Sequence, residues 1–188
     1  MFEVQDVSRV TKRDVIGGPI EASKRLGVLL HTTDGRNSLA WLQGASAVAG
    51  KPASADYLIT RSGHIYKLMP KGHYAWHAGV TNLSGKVDTA DYVSRSFIGI
   101  EVENADSAGQ LPTRSQHEAT AGLLLLLATV YDFSPLHVYG HYALAFPMGR
   151  RSDPHAWDWG LMFWLMAFAQ EHISLLGDVS SIIAEGGE

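Results

Sequence analysis

Four side chains have the types and places to do chemistry together. His31 follows the apolar run Val28-Leu29-Leu30, Glu101 follows Phe97-Ile98-Gly99-Ile100, His141 follows Val138-Tyr139-Gly140, and Asp153 lies on the loop after it. In α/β proteins ligands gather at strand ends, where side chains leave the sheet toward a crevice. Two imidazoles and a carboxylate with a fourth position open are the donor set of a catalytic zinc site. Singly, each residue has a plainer reading: a histidine at a strand end is more often a hydrogen-bonded structural residue than a ligand. His137 and His141 are four apart, but Pro135 and Gly140 argue against a shared helix, and Val138 stands where a helical zinc pair carries glutamate. His137 is therefore read as structural, and His64, His117 and His172 carry no signal.

The elements that must position these residues alternate in type. Residues 26–30 read as a buried strand. Ser38 can cap a helix over 39–48, after a loop over 32–37. Segments 57–60 and 64–68 flank Arg61-Ser62-Gly63, a hairpin signal. A loop rich in Gly, His and Trp runs on to about residue 91. Residues 97–102 form a strong strand, and Thr113 with Gln116 is a capping box opening a helix over 114–131. A short strand at 138–139 and a last helix over 156–170 complete the order. Residues 1–26 are mixed, broken at Gly17-Gly18-Pro19, and the final glycines read as frayed. The pattern predicts an α/β fold with a mixed central sheet flanked by helices on both faces.

Composition narrows the function. The chain has 188 residues, 46% hydrophobic and 18% charged, with net charge −4 and no cysteine. That is one domain of ordinary size. The acidic balance argues against a nucleic-acid partner. Without cysteine there is no disulfide, thiolate metal site or cysteine nucleophile. The N-terminus has no basic stretch followed by an apolar run, so no signal peptide is read. The runs 121–130 and 159–169 are shorter than the roughly 20 residues a spanning helix needs, so no transmembrane segment is expected. The last helix is apolar nearly all round, which reads as deep burial, with a dimer interface or membrane-surface contact as the alternative.

In order along the chain stand Val28-Leu29-Leu30-His31-Thr32-Thr33, Tyr57 to Gly63, Trp76-His77-Ala78-Gly79, Ile98-Gly99-Ile100-Glu101-Val102-Glu103, Gly140-His141 and Arg151-Ser152-Asp153-Pro154. Together they resemble the type 2 N-acetylmuramoyl-L-alanine amidases, whose fold peptidoglycan recognition proteins and many phage endolysins share. The resemblance covers about residues 25–160. It implies Zn2+ held by His31, His141 and Asp153, with Glu101 activating the zinc-bound water and Arg151 stabilising the oxyanion. It implies substrate contacts from Trp76, His77 and Thr32. The chain departs from the family in a longer stretch between His141 and Asp153, which brings Arg150 into question beside Arg151. Asp56 stands where many members carry His or Asn, and Ser94 where Asn is common. Ala55 stands where some members carry a catalytic tyrosine, which leaves Glu101 to act alone.

The implied reaction is zinc-dependent hydrolysis of the amide between the lactyl group of N-acetylmuramic acid and L-alanine. The expected substrate is peptidoglycan or muropeptide, and the expected unit is a single catalytic domain over 1–188 with a core of about 25–172, favoured as a monomer. An endolysin acting on the wall after release is the preferred setting. The alternatives are a cytoplasmic amidase that recycles muropeptides and a non-catalytic recognition module.

Overall fold

The computed structural model describes residues 3–35, 38–50, 52–83, 85–88 and 91–171. Part of the 32–37 loop, His172 and the terminal glycines lie outside them. Strand alternation builds the centre. β1 is Val4–Asp6, β2 Ile16–Pro19, β3 Gly27–Thr32, β4 Tyr57–Ile59 and β5 Ile65–Lys67. β6 is His73–Ala75, β7 Thr81–Leu83, β8 Lys86–Asp88, β9 Phe97–Val102 and β10 Val138–Gly140. The main sheet runs β1-β5-β4-β9-β3-β10. β4 and β5 form the expected antiparallel hairpin, and the other neighbours are parallel, so the sheet is mixed.

In β3 and β9 every second residue faces one side. Val28, Leu30, Ile98, Ile100 and Val102 pack in one core with α4, Arg114–Tyr131, and α6, Trp159–Glu171. Leu29 and Phe97 pack on the other side with Val93 of the short helix α3, Tyr92–Ser96, and Leu144 of α5, His141–Leu144. Helices therefore cover both faces, long ones on one and short ones on the other.

The capping box forms as read: the Gln116 amide donates to Thr113 Oγ1, and the Thr113 amide donates to Gln116 Oε1. Four expectations are corrected. The 39–48 helix is broken into α1, Ser38–Ala40, a π-helical stretch Trp41–Ala45, and α2, Ser46–Val48, because Gly44 takes φ 128°, where no helix continues. The break at Gly17-Gly18-Pro19 is strand β2, paired with β6; Gly17 is required where Tyr74 fills the space a Cβ would take. The last helix starts at Trp159, not 156, because Ala156 has φ 51° and Asp158 accepts the Leu161 amide as a cap. The 69–91 stretch, expected as loop, contributes β6, β7 and β8.

α6 is not buried all round. Met162, Leu165 and Met166 pack inward, while Trp164 and Phe168 are about half exposed and stack on each other. No described helix is long and apolar enough to cross a membrane.

Candidate metal centre

β3 and β9 run parallel with His31 directly opposite Glu101. Alternation puts both side chains on the face away from α4. β10 flanks β3 on its other side and hands the chain to His141, the first residue of α5. Asp153 returns beside it, where its carbonyl accepts the Tyr142 amide.

His31 Nδ1 stands 3.0 Å from His141 Nδ1 and 3.3 Å from Asp153 Oδ2, and His141 Nδ1 stands 3.1 Å from Asp153 Oδ2. Both imidazoles are buried and Asp153 is partly exposed. Ligand atoms around a tetrahedral ion at about 2.0–2.1 Å stand roughly 3.3 Å apart, so this triangle has the right size.

The tautomers give a stronger test. His141 Nε2 lies 2.9 Å from the Ala78 carbonyl, which can only accept, so Nε2 carries the proton and Nδ1 presents a lone pair. His77 Nε2 lies 3.1 Å from the Phe97 carbonyl, so its Nδ1 is also bare. His31 Nε2 lies 3.0 Å from that bare nitrogen and must donate, which leaves His31 Nδ1 with a lone pair. Two imidazole lone pairs and a carboxylate then converge on one point, an arrangement that repels itself unless a cation sits there. The residues fit a zinc ion.

Electrostatics agree. Burial pushes the His31 pKa down to about 4, and the charge of Arg151 acts in the same direction. Burial likewise holds His77 well below the usual imidazole value. Both rings are thus neutral near pH 7, as ligation needs.

The other expected residues divide. Arg151 is exposed and near enough for its charge to act on His31. Arg150 is a clasp: its guanidinium donates to the Phe146, Ala78 and Val80 carbonyls at 2.9, 3.2 and 2.7 Å. Trp76 is 44% exposed beside Tyr74 and is available to a ligand. Two expected substrate contacts are placed elsewhere. Thr32 is 7% exposed, and alternation turns it to the α4 side with Leu30, opposite Val102 in register. His77 has both ring nitrogens engaged behind His31, and its ring occupies the space over Gly99.

Other residues carry no signal in the linear sequence. The Arg25 guanidinium pairs with Asp56 at 2.9 Å and donates to the Ser94, Arg95, Phe97 and His73 carbonyls. Asp56 in turn accepts the Gly99 amide at 2.8 Å. Ser94 Oγ accepts the His77 and Ala78 amides, and Ser54 Oγ accepts that of Trp76. His117 stacks on Trp157, donates from Nδ1 to the Thr113 carbonyl, and accepts the Asp158 amide, which ties α4 to the start of α6. Only a departure from the family pattern at positions 56 and 94 hinted at any of this.

Residues 22–156 match the family model described as N-acetylmuramoyl-L-alanine amidase. The chain belongs to this amidase family. It is 34% identical over 113 residues to the 1,6-anhydro-N-acetylmuramyl-L-alanine amidase AmpD of Salmonella typhimurium, across 60% of this chain and 56% of that protein. The chain thus spans a little over half the length of that relative. The structure resembles the Escherichia coli N-acetylmuramyl-L-alanine amidase AmiD, solved with anhydro-N-acetylmuramic acid-L-Ala-D-gamma-Glu-L-Lys. The TM-score is 0.61 at 25% identity, over 76% of this chain and 57% of that one. The Clostridium intestinale endolysin amidase LysCS shares the fold at TM-score 0.54 and 16% identity, over 78% of this chain and 85% of that one.

Proposed function

We propose that this chain is a zinc-dependent amidase that cuts the bond between the lactyl group of N-acetylmuramic acid and L-alanine, with soluble anhydromuramyl peptides as its substrates. The observation that carries the metal chemistry is the convergence of the His31, His141 and Asp153 lone pairs on one point, with Glu101 opposite His31 on the same face. The substrate class is supported by the AmpD relative and by the substrate bound to AmiD. The endolysin setting expected from sequence is supported by likeness of fold alone, at 16% identity. The recycling alternative is therefore the better reading.

An amide is a poor electrophile and water a poor nucleophile. Zinc, when bound by His31, His141 and Asp153, lowers the pKa of water to about 7 and polarises the carbonyl. Glu101 takes the proton from the attacking water and delivers it to the departing L-alanine nitrogen. Ala55, fully buried, holds the place where some family members carry a catalytic tyrosine. Arg151 faces the charge that develops on the carbonyl oxygen; a donor in that role contributes about 3–4 kcal/mol in other enzymes. Trp76 offers an exposed ring for a sugar or peptide face.

The test is digestion of purified anhydromuramyl peptide and, in parallel, of intact peptidoglycan, with mass analysis of the products. New L-alanine amino termini, abolished by chelator and restored by zinc, are expected from the soluble substrate at the higher rate. Faster cutting of intact wall would restore the endolysin. Binding with no new amino termini would make the chain a recognition module.

A further inference from the structure

We infer that His77 is a positioning residue for the metal site: as a hydrogen-bond acceptor it holds His31 in the one tautomer that turns a lone pair toward His141 and Asp153. The inference rests on the proposed metal-dependent function and departs from the groove role that family resemblance gives this histidine.

The relay starts from a group that cannot change role. The Phe97 carbonyl only accepts, so His77 Nε2, 3.1 Å away, is the donor. A neutral imidazole then has a bare Nδ1. That nitrogen faces His31 Nε2 at 3.0 Å, with the two rings edge-on at 83°. A bare His31 Nε2 would set two lone pairs against each other in a buried place. The proton is therefore held on Nε2, and Nδ1 is left open to the metal. In most metal sites a carboxylate, carbonyl or water accepts from the distal nitrogen of a ligating histidine; here a second imidazole does so.

The surroundings leave the His77 ring little choice of place. Gly99 lies beneath it, and a Cβ there would stand 2.6 Å from two of its ring carbons. Its backbone amide is held by Ser94 Oγ. The next residue serves the other imidazole ligand, because the Ala78 carbonyl accepts from His141 Nε2. Two successive residues of Trp76-His77-Ala78-Gly79 thus orient both histidine ligands, one through its side chain and one through its backbone. Gly79, at φ 61°, then turns the chain beside the Arg150 guanidinium.

Two variants separate hydrogen bonding from packing. His77→Phe keeps a ring over Gly99 without an acceptor, and His77→Asn keeps an acceptor oxygen near the place of Nδ1. Zinc affinity is measured by competition with a chromogenic chelator, and the His31 tautomer by imidazole nitrogen NMR on the metal-free protein. His77→Phe should bind zinc about 10–100-fold more weakly, the range for lost outer partners of metal ligands, and should no longer show His31 purely as the Nε2–H form. His77→Asn should recover most of the affinity and the Nε2–H signal. Wild-type zinc affinity in His77→Phe, with only KM raised, would overturn the inference and return His77 to the groove. So would a wild-type His31 carrying its proton on Nδ1. A wild-type protein that binds no zinc but shows the Nε2–H tautomer, lost in His77→Phe, would refute the proposed function and leave the relay standing.

Discussion

Replacing Arg25 by methionine should cost the metal-free protein about 4 kcal/mol at neutral pH and far less in mild acid. Arg25 and Asp56 are 5% and 4% exposed, with their charged atoms 2.9 Å apart. Removing one member of a buried pair strands the other charge, typically at about 3–5 kcal/mol. Asp56 has an escape, which is to take up a proton. Burial already raises its pKa against the pull of Arg25 and the Gly99 amide, and without Arg25 it must rise further. An unfolded aspartate titrates near 3.8, so protonating it at pH 7 costs about 1.36 × 3.2, or roughly 4 kcal/mol. At pH 5 the same step costs about 1.6 kcal/mol. The sign follows from linkage. A carboxyl whose folded pKa is raised is least unfavourable below its unfolded value, and its penalty grows as pH rises toward the folded pKa. Urea unfolding in chelator at pH 7 and pH 5 measures both numbers, and at pH 7 the melting temperature should fall by about 8–16 °C. Asp56→Asn offers no such escape, because an arginine does not deprotonate, so its deficit should change little with pH. A deficit in Arg25→Met below about 1 kcal/mol, or one equal at both pH values, would refute the reasoning that this pair is buried and mutually dependent.

Other outcomes follow from the site. Glu101→Gln should lower turnover by about 10²–10⁴-fold while zinc affinity, read by chelator competition, stays at the wild-type value; near-full hydrolysis would remove Glu101 as the base. His141→Ala should lose both bound zinc, by metal analysis, and activity. Arg151→Ala should lower kcat more than it raises KM, whereas Arg150→Ala should act on stability, since it frees the Phe146, Ala78 and Val80 carbonyls from their clasp. His31, held near 4 by burial, binds fewer protons folded than unfolded between its two pKa values. Its contribution to metal-free stability is complete above about pH 6.5 and falls by about 3 kcal/mol as pH drops toward 4, which denaturant midpoints against pH would show.

Much of the site was legible because its parts obey short-range rules. Strand period and turn chemistry are local, so β9 and the hairpin stand where the pattern put them, as do α4 and its capping box. His31 and His141 end apolar runs in the sequence, and family order joined them to Asp153. What the sequence by itself determined, then, was the fold class and the candidate donor set, because periodicity and residue type are written along the chain. Which atoms meet was decided only in three dimensions. Arg25 and Asp56 are 31 positions apart, and nothing local distinguishes a buried arginine from a solvated one. Trp76-His77-Ala78-Gly79 reads as a groove loop until the fold brings Phe97 and Gly99 behind it. A histidine carries two nitrogens with opposite roles available to each. The partner that chooses between them, for His31 as for His77, arrives from another segment of the chain.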